Sequence, residues 1–448
     1  MASLDLKNSI GVRLLIIATL TLLFLIPTSM IEGIIEERED RRDDAAEDIT
    51  GKWGDMQAIV GPVLTIPYRH TYQNSDDEVM TATRYAHFLP EEVRVDGAVD
   101  PQVRYRSIYK AIVYNSTLRI RGSFEAPDPS LLNIAPSNVL LDQAFVSLGI
   151  RDMKGIKELI EIDWDGTTYS ANPGIESSDV LSSGVSIAPA LQVQDAPYTF
   201  DVRLNLNGSS GLFFSPVGKQ THVTLSSEWP NPSFAGGFLP TEREISASGF
   251  TSTWNVLHLN RNFPQQWKGR NPEVAETVFG VNLLLSVDEY QKSMRTAKYA
   301  ILFISLTFLT FFMMELLAKK VIHPVHYLLI GFALLTFYTL LLSLSEYMVF
   351  AYAYLLASVG VVSLISVYSL SVLSDWTMSG LVLGVLSLLY GYLYILMQLQ
   401  DYALLMGSIG LFVVLALVMY LTRNIDWFEI MGGAAAASTE PAAAPTTD

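Results

Sequence analysis

The stretch AKYAILFISLTFLTFFMM, residues 297–314, is the first of five apolar runs that fill the chain from Ala297 to Leu421. A helix of about 20 predominantly apolar residues crosses the hydrocarbon core of a bilayer, and each run is near that length. The pattern therefore predicts five membrane spans in the C-terminal part of the chain. The predicted spans are 297–314, 324–345, 348–369, 377–397 and 402–422.

A sixth apolar run extends from Ile10 to Met30, with Lys7 and Arg13 at its start. This run is longer than the apolar core of a signal peptide, and no clear small-residue cleavage site follows it. We therefore interpret residues 1–30 as an uncleaved membrane anchor. Together with the C-terminal runs, the anchor gives a predicted bundle of six spans over 1–30 and 297–422.

The distribution of basic residues orients these spans. Lys319 and Arg423 lie on loops that six spans place on the same side as the N-terminus, whereas the loops around Glu346 and Asp401 carry no Lys or Arg. Basic loops are retained in the cytoplasm. We therefore expect both termini to be cytoplasmic and residues 31–296 to lie outside.

Two patterns divide the polar segment between the anchor and the C-terminal runs. In residues 31–50, isoleucine and alanine recur near one helical face and charged residues fill the rest, which predicts a charged stalk helix. Within residues 51–296, stretches such as Ser116–Phe124 and Thr199–Leu206 alternate apolar and polar residues. Such alternation is typical of half-buried strands. We expect a β-rich, sandwich-like domain inserted between the first and second spans.

The β-rich segment contains a short internal resemblance. Phe88-Leu-Pro-Glu-Glu and Phe238-Leu-Pro-Thr-Glu share the pattern F-L-P-x-E ahead of a predicted strand. The pattern has two interpretations: an internal duplication that gives two β lobes, or chance. The pairs Asp96-Gly97 and Asn207-Gly208 are typical of turns, and we place strand boundaries there.

Composition excludes several classes of function. Half of the 448 residues are hydrophobic, 17% are charged, and the formal net charge is −16, most of it in the polar middle segment. An acidic exported domain is unsuited to nucleic acid. The chain has no cysteine, which excludes disulfides, thiolate nucleophiles and cysteine-based metal sites. We predict no cofactor.

Ser107 and Lys110 match the S-x-x-K motif of serine enzymes that recognise penicillin. Those enzymes also need Ser-Asp-Asn and Lys-Thr-Gly motifs, which are absent from this sequence. The match lies in an alternating stretch, where a strand would direct the two side chains to opposite faces. We therefore expect no enzymatic activity.

Four residues are candidate functional positions. Glu315 and Glu346 fall at edges of predicted spans, where lipid headgroups can solvate a carboxylate. For Glu346 we favour this location over a buried and paired one. His323 and His326 have the i, i+3 spacing that places two metal ligands on one helical face. They also lie at a span entrance, where interfacial histidines are ordinary, and we predict no metal.

Gly380 and Gly384 form a G-x-x-x-G pattern in the fourth C-terminal run. Glycines at this spacing let two helices approach closely. Packing within the bundle is our first interpretation, and an oligomer formed through these two residues is the second. Membrane lipids and an envelope protein or ligand of unknown identity are the other expected partners.

Several segments together resemble one family, in this order along the chain. They are Gly61-Pro-Val-Leu-Thr-Ile-Pro, Phe88-Leu-Pro-Glu-Glu, Trp229-Pro-Asn-Pro-Ser-Phe, Gly237-Phe-Leu-Pro-Thr-Glu-Arg-Glu, Thr296-Ala-Lys-Tyr-Ala-Ile-Leu-Phe, His323-Pro-Val-His-Tyr-Leu-Leu-Ile-Gly, Leu344-Ser-Glu-Tyr and Leu421-Thr-Arg-Asn-Ile-Asp-Trp. The sequence is similar to the CreD family of bacterial inner-membrane proteins, from the anchor to Trp427. The resemblance implies an inner-membrane protein of Gram-negative bacteria tied to cell-envelope integrity and stress, including responses to β-lactams and tolerance to colicins. It carries no catalytic or ligand-binding residues across.

The combined interpretation is a non-enzymatic inner-membrane protein of the envelope stress and integrity response, with residues 31–296 in the periplasm. The predicted tail is 423–448, disordered from about residue 432 because it is rich in Ala, Pro, Ser and Thr. A transporter or lipid-handling protein is the alternative, and an envelope hydrolase is a third. A polar cavity at mid-membrane depth, an apolar groove in the β domain, or a convergent acid–base pair would respectively favour transport, lipid handling or hydrolysis.

Overall fold

The computed structural model describes residues 10–73, 77–191, 196–271, 273–285, 289–318, 321–399 and 402–423. The chain divides into two compact units, one formed by residues 1–41 with 287–448 and the other by residues 42–286. The helices are α1 (Ile10–Leu23), α2 (Leu25–Trp53), α3 (Glu273–Glu276), α4 (Glu289–Lys298), α5 (Ala300–Ala318), α6 (Pro324–Ser345), α7 (Phe350–Leu373), α8 (Trp376–Gln398) and α9 (Ala403–Thr422).

Helices long and apolar enough to cross a membrane lie in two groups, one at the N-terminus and one in the C-terminal part. Within the described residues there are five such helices, and a sixth if α4 and α5, which meet at a 45° bend, are counted as one span. The β-rich segment lies between the two groups. This confirms the predicted layout of anchor, β-rich insertion and helical C-terminal part, with five or six spans.

The first span continues directly into the stalk. The helix from Gly11 to Trp53 is interrupted only at Phe24, between α1 and α2. Pro27 explains this break, because a proline has no N–H to donate to the carbonyl of Leu23 four residues earlier. Near the start of α2, Ile31 is buried.

Among the described residues of the unit 42–286, seventeen strands form two sheets. They are β1 (Gln57–Gln73), β2 (Val79–Phe88), β3 (Glu92–Arg106), β4 (Tyr109–Phe124), β5 (Phe145–Ile150), β6 (Glu161–Trp164), β7 (Thr167–Ser170), β8 (Asn172–Pro173), β9 (Gly184–Ile187), β10 (Tyr198–Ser209), β11 (Gly211–Phe214), β12 (Gln220–Ser227), β13 (Pro232–Gly236), β14 (Glu242–Ser246), β15 (Gly249–Leu257), β16 (Gln266–Lys268) and β17 (Phe279–Leu283).

The first sheet has the order β13-β17-β11-β1-β5-β9-β8, with β2 also paired to β1 and β16 paired to β2. The second sheet has the order β14-β15-β12-β3-β4-β10-β6-β7. Apolar residues of both sheets belong to one hydrophobic core, in which Leu64, Leu148, Val202, Val223 and Trp254 are fully enclosed. The alternation of buried and exposed residues along β10 shows that one face of the second sheet contributes to this core.

The strand pairing repeats itself across each sheet. In the first sheet the antiparallel triplets β13-β17-β11 and β1-β5-β9 lie side by side, and in the second the antiparallel triplets β14-β15-β12 and β3-β4-β10 do the same. The triplets meet through the parallel pairs β11·β1 and β12·β3. This repetition supports the interpretation of the β-rich segment as two lobes.

Two predicted turns are wrong. Asp96-Gly97 lies in the middle of β3 and Asn207-Gly208 lies within β10. Their glycines serve close packing: a Cβ at Gly97 would lie 2.6 Å from a methyl of Leu225, and one at Gly208 would lie 2.3 Å from the hydroxyl of Tyr114. In a sequence, a glycine is compatible with a turn and equally with a close contact inside a strand. Only the packing in the folded structure distinguishes the two cases.

Candidate functional site

A buried ion pair joins the first span to the C-terminal helices. Arg13 Nη1 of α1 lies 2.7 Å from Glu315 Oε1 of α5, and the Tyr327 hydroxyl of α6 donates to Glu315 Oε2 at 3.2 Å. The Glu315 side chain is only 3% exposed. The expectation that headgroups solvate Glu315 is therefore wrong: two protein groups replace the solvent. Sequence reasoning used Arg13 only for orientation and missed its pairing.

Glu346 ends α6 and is also paired. Its Oε1 accepts a hydrogen bond from the Tyr290 hydroxyl of α4 at 3.3 Å and lies 3.7 Å from Arg38 Nη1 of α2. The Glu346 side chain is 9% exposed. Of the two alternatives for this residue, the structure favours the buried and paired one, and the partners come from segments far apart in the sequence.

His323 and His326 have different partners. His323 is the N-cap of α6, and its Nδ1 accepts from the Val325 amide at 3.3 Å. His326 Nδ1 lies 2.7 Å from the Tyr368 hydroxyl near the end of α7. Among the described residues, no group of three or more histidine, aspartate or glutamate side chains is arranged to hold a metal ion. The two rings contribute to a helix cap and to a contact between α6 and α7.

Gly380 and Gly384 do not pack against another helix in the part of the chain that the structure describes. Both are exposed, and a Cβ at either position would meet no atom within 4 Å. Our first interpretation, close packing of these glycines within the bundle, is therefore wrong. Close approaches occur instead at Gly331 of α6, beside the ring of Phe24, and at Gly410 of α9, beside Tyr392 of α8. An oligomer formed through Gly380 and Gly384 stays a prediction.

The β unit contains a hydroxyl, an imidazole and a carboxylate in a row. The Thr65 hydroxyl lies 3.0 Å from His87 Nδ1, and His87 Nε2 lies 3.4 Å from Asp179 Oδ2. This order is that of a nucleophile, a base and an orienting acid. However, Thr65 and His87 are 2% and 1% exposed, so a substrate has no access to the hydroxyl. The row serves to satisfy buried polar groups.

Ser107 lies in the hairpin turn between β3, which ends at Arg106, and β4, which begins at Tyr109 and contains Lys110. The prediction of one alternating strand through this stretch is wrong. Ser107 has a left-handed backbone, with φ of 56°, and the Lys110 ammonium lies 5.7 Å from the ring of Tyr105. No base from elsewhere in the described chain hydrogen-bonds to the Ser107 hydroxyl, so the motif has no catalytic geometry here.

A groove of about 830 Å³ lies at one end of the second sheet. Small or polar side chains line much of it, including Ala98, Thr117 and Ser226, and it also includes three acidic residues and no lysine or arginine. The acidic residues are Asp100, Glu228 and Glu244. This lining differs from the apolar groove that lipid handling by the β unit requires.

The comparisons with known proteins agree over nearly the whole chain. The family profile described as "Inner membrane protein CreD" matches residues 9–428. The chain is also 37% identical, over 413 residues, to the protein named "Inner membrane protein CreD" from Escherichia coli (strain K12), and the match covers 91% of both chains.

The chain belongs to the CreD family. The resemblance carried by the sequence segments is thereby confirmed. CreD proteins are named as inner-membrane proteins, which agrees with the apolar helices at both ends of this chain. In this CreD protein the polar contacts of Glu315 and Glu346 connect the N-terminal helices to the C-terminal helices.

Proposed function

We propose that this protein acts in cell-envelope integrity and the envelope stress response, as a non-enzymatic inner-membrane protein. The observation that carries the proposal is a large β-rich unit inserted between membrane-spanning helices in a CreD-family chain. In a protein with this arrangement, binding to the β-rich unit on one side of the membrane can be transmitted to the membrane-spanning helices. Tolerance of β-lactams and colicins is the expected phenotype.

The proposed topology has cytoplasmic termini and residues 31–296 in the periplasm. It is supported by the basic residues Lys319 and Arg423 on the predicted cytoplasmic loops. The β unit is proposed to be a two-lobed sandwich, supported by a single hydrophobic core that draws on both sheets. An acidic β unit without cysteines suits an exported domain that is stabilised by its core alone.

The non-enzymatic proposal is supported by the geometry of the two candidate catalytic groups. The Thr65–His87–Asp179 row is closed to substrate, and Ser107 lacks a base. Binding is then the remaining role of the β unit. The groove beside Asp100 and Glu244 is the proposed contact for a periplasmic partner, because it is concave and its acidic residues favour a cationic group.

Complementation tests this proposal. A strain lacking its own CreD-family protein is challenged with a β-lactam and with a colicin, while carrying either the wild-type gene or the variant Asp100→Asn/Glu244→Gln. We expect the variant, at wild-type abundance, to protect less well. The control Glu161→Gln/Glu176→Gln removes two exposed charges away from the groove and should protect fully. Equal protection by both variants would contradict a role for the groove.

Transport is the second candidate, and the buried carboxylates Glu315 and Glu346 favour it, since ionisable groups inside a bundle mark transport pathways. Both lie near the ends of their helices. A folded and abundant Glu346→Gln protein that fails to complement would support transport. Full complementation by this variant would argue against transport through Glu346 and would be consistent with the integrity role alone.

A further inference from the structure

Helix α4 has a basic face and a buried face on opposite sides. Lys292, Arg295 and Lys298 have the spacing i, i+3, i+6, which places them within an arc of about 120° at 100° per residue. The opposite arc contains the residues of α4 that pack against the protein. These buried residues are Tyr290, Ser293, Thr296 and Ala297. The three basic residues therefore share the face of α4 that is turned away from the rest of the protein.

None of these three cations has a carboxylate partner in the part of the chain that the structure describes. Lys292 Nζ lies 5.5 Å from the ring of Phe350, Arg295 Nε donates to the Gln291 carbonyl at 3.4 Å, and Lys298 is exposed. The nearby carboxylate of Glu346 is held by Tyr290 and Arg38. Three such cations on one face, with no carboxylate of the described residues bonded to them, form a local positive site for an external anion.

The position of α4 in the sequence sets its depth. Only Tyr299 separates α4 from α5, whose residues are almost entirely apolar, and the two helices meet at 45°. A short amphipathic helix that ends where an apolar span begins lies at the level of the lipid headgroups. Under the proposed topology these cations are on the periplasmic side, against the usual bias for basic residues. Such a departure requires a specific use for the charge.

We propose that the basic face of α4 binds the phosphate groups of anionic phospholipid headgroups. Lysine and arginine donate charge-assisted hydrogen bonds to phosphate oxygens, and the arginine fork can donate two at once. Along the helix, Lys292 and Lys298 are about 9 Å apart, so neighbouring phosphates can occupy the face at the same time. A zwitterionic headgroup carries no net charge to offset the three cations, and so anionic lipid is selected.

Native mass spectrometry of the full chain in a mild detergent tests the site. The protein is titrated with phosphatidylglycerol and, separately, with phosphatidylcholine. We expect wild-type protein to prefer phosphatidylglycerol by about tenfold or more, because each cation near anionic headgroups strengthens binding by about fivefold. The variant Lys292→Gln/Arg295→Gln/Lys298→Gln should lower this preference below about twofold. Unchanged preference in this variant would overturn the proposal.

Two controls separate the site from net charge and from misfolding. The variant Arg69→Gln/Arg84→Gln/Arg203→Gln removes three exposed arginines of the β unit and should keep the preference, whereas an equal loss would show that only net charge matters. The variant Lys292→Arg/Lys298→Arg keeps the charge and should keep the preference. Lys298→Gln changes a single exposed side chain, so the fold survives, and should weaken the preference by about fivefold.

Inorganic phosphate distinguishes a headgroup from a free anion. The same titration is repeated in a buffer with millimolar inorganic phosphate. We expect the preference for phosphatidylglycerol to persist, since the acyl chains hold the lipid phosphate at the depth of α4. Loss of the preference on saturation with inorganic phosphate, with direct phosphate binding that the triple α4 variant abolishes, would assign the site to a soluble anion and overturn the lipid assignment.

Discussion

At the scale of single residues, the charges in the helical unit are held by partners from distant parts of the chain. Arg13 and Glu315 are 302 residues apart in sequence and 2.7 Å apart in space. A buried ion pair adds little net stability over an apolar pair of the same size, yet breaking it is costly. The pair therefore specifies which helix faces meet, and it penalises arrangements that separate them.

Glu315→Gln should lower the free energy of unfolding by about 3 kcal/mol, the lower part of the range for breaking buried pairs, because the Arg13 side chain keeps 17% exposure. The thermal midpoint in detergent measures the effect. The control Glu37→Gln removes one partner of the exposed Glu37–Arg41 pair and should cost at most about 1 kcal/mol. Arg13→Met/Glu315→Met should recover much of the loss. Equal midpoints for Glu315→Gln and Glu37→Gln would contradict burial.

His87 makes the stability of the β unit depend on pH. Burial lowers the pKa of the His87 ring, and Asp179 beside Nε2 only partly offsets this. In the unfolded chain the ring titrates near pH 6.5. The unfolded state therefore binds more protons below about pH 6.5, and the free energy of unfolding decreases as pH falls from there towards the folded pKa, by at most about 1.4 kcal/mol per pH unit.

In thermal scans of the full chain between pH 7.5 and 5, His87→Gln should weaken this acid destabilisation. The replacement keeps polar atoms for Thr65 and Asp179 and removes the proton-binding ring. The control His258→Gln changes a half-buried histidine and should retain the wild-type pH dependence. The same slope for wild type and His87→Gln would show that another group causes it.

At the scale of elements, Gly331 of α6 leaves room for the ring of Phe24, the residue between α1 and α2. Phe24 fills the space beside Gly331, and its ring lies edge-on to Phe308 and Phe332 at centroid distances of 5.9 and 5.5 Å. The ring is 1% exposed, so it has little room to move away from an added methyl group. The G-x-x-x-G pair at Gly380 and Gly384 carries the stronger sequence signal but no such contact.

Gly331→Ala should therefore lower the free energy of unfolding by about 1–3 kcal/mol through overpacking against Phe24. Gly384→Ala should leave it unchanged or raise it by up to about 1 kcal/mol, because alanine favours a helix more than glycine does and the position is open. Thermal midpoints of the two variants in detergent give the comparison. A Gly331→Ala protein as stable as Gly384→Ala would contradict the close approach.

The F-L-P-x-E segments occupy equivalent places in the two sets of strands. The glutamates Glu92 and Glu242 begin β3 and β14, both in the second sheet. The residue before each donates its amide across the hairpin, Glu91 to the Ser123 carbonyl and Thr241 to the Thr253 carbonyl, both at 2.8 Å. Equivalent strand positions and equivalent hydrogen bonds favour duplication over chance.

At the scale of the whole molecule, the order of the segments and the charge of the loops predict a topology that can be tested, with cytoplasmic termini and residues 31–296 in the periplasm. Most of the acidic residues fall between the first span and the C-terminal helices, and Lys319 and Arg423 fall on the opposite side of the proposed bundle. Under this topology the basic residues of α4 are periplasmic, which is an exception to the rule that basic residues favour the cytoplasmic side. The topology therefore needs a direct experimental test.

A phosphatase reporter that is active only in the periplasm should be active when fused after Asn207 and silent when fused after Trp427. A β-galactosidase reporter, which is active in the cytoplasm, should give the opposite pattern at the same two positions and is the matched control. Activity of the phosphatase after Trp427 but not after Asn207 would reverse the proposed topology.

The sequence by itself determined the layout: an apolar anchor, a stalk helix, a β-rich insertion and an apolar C-terminal part. Runs of about 20 apolar residues and alternating strands are local signals, because bilayer thickness and the pleat of a strand act on neighbouring residues. Only the tertiary structure decided which polar groups are paired. Glu315 meets Arg13, and Glu346 meets Tyr290 and Arg38, because helix packing brings distant segments together, and that proximity leaves no local pattern in the chain.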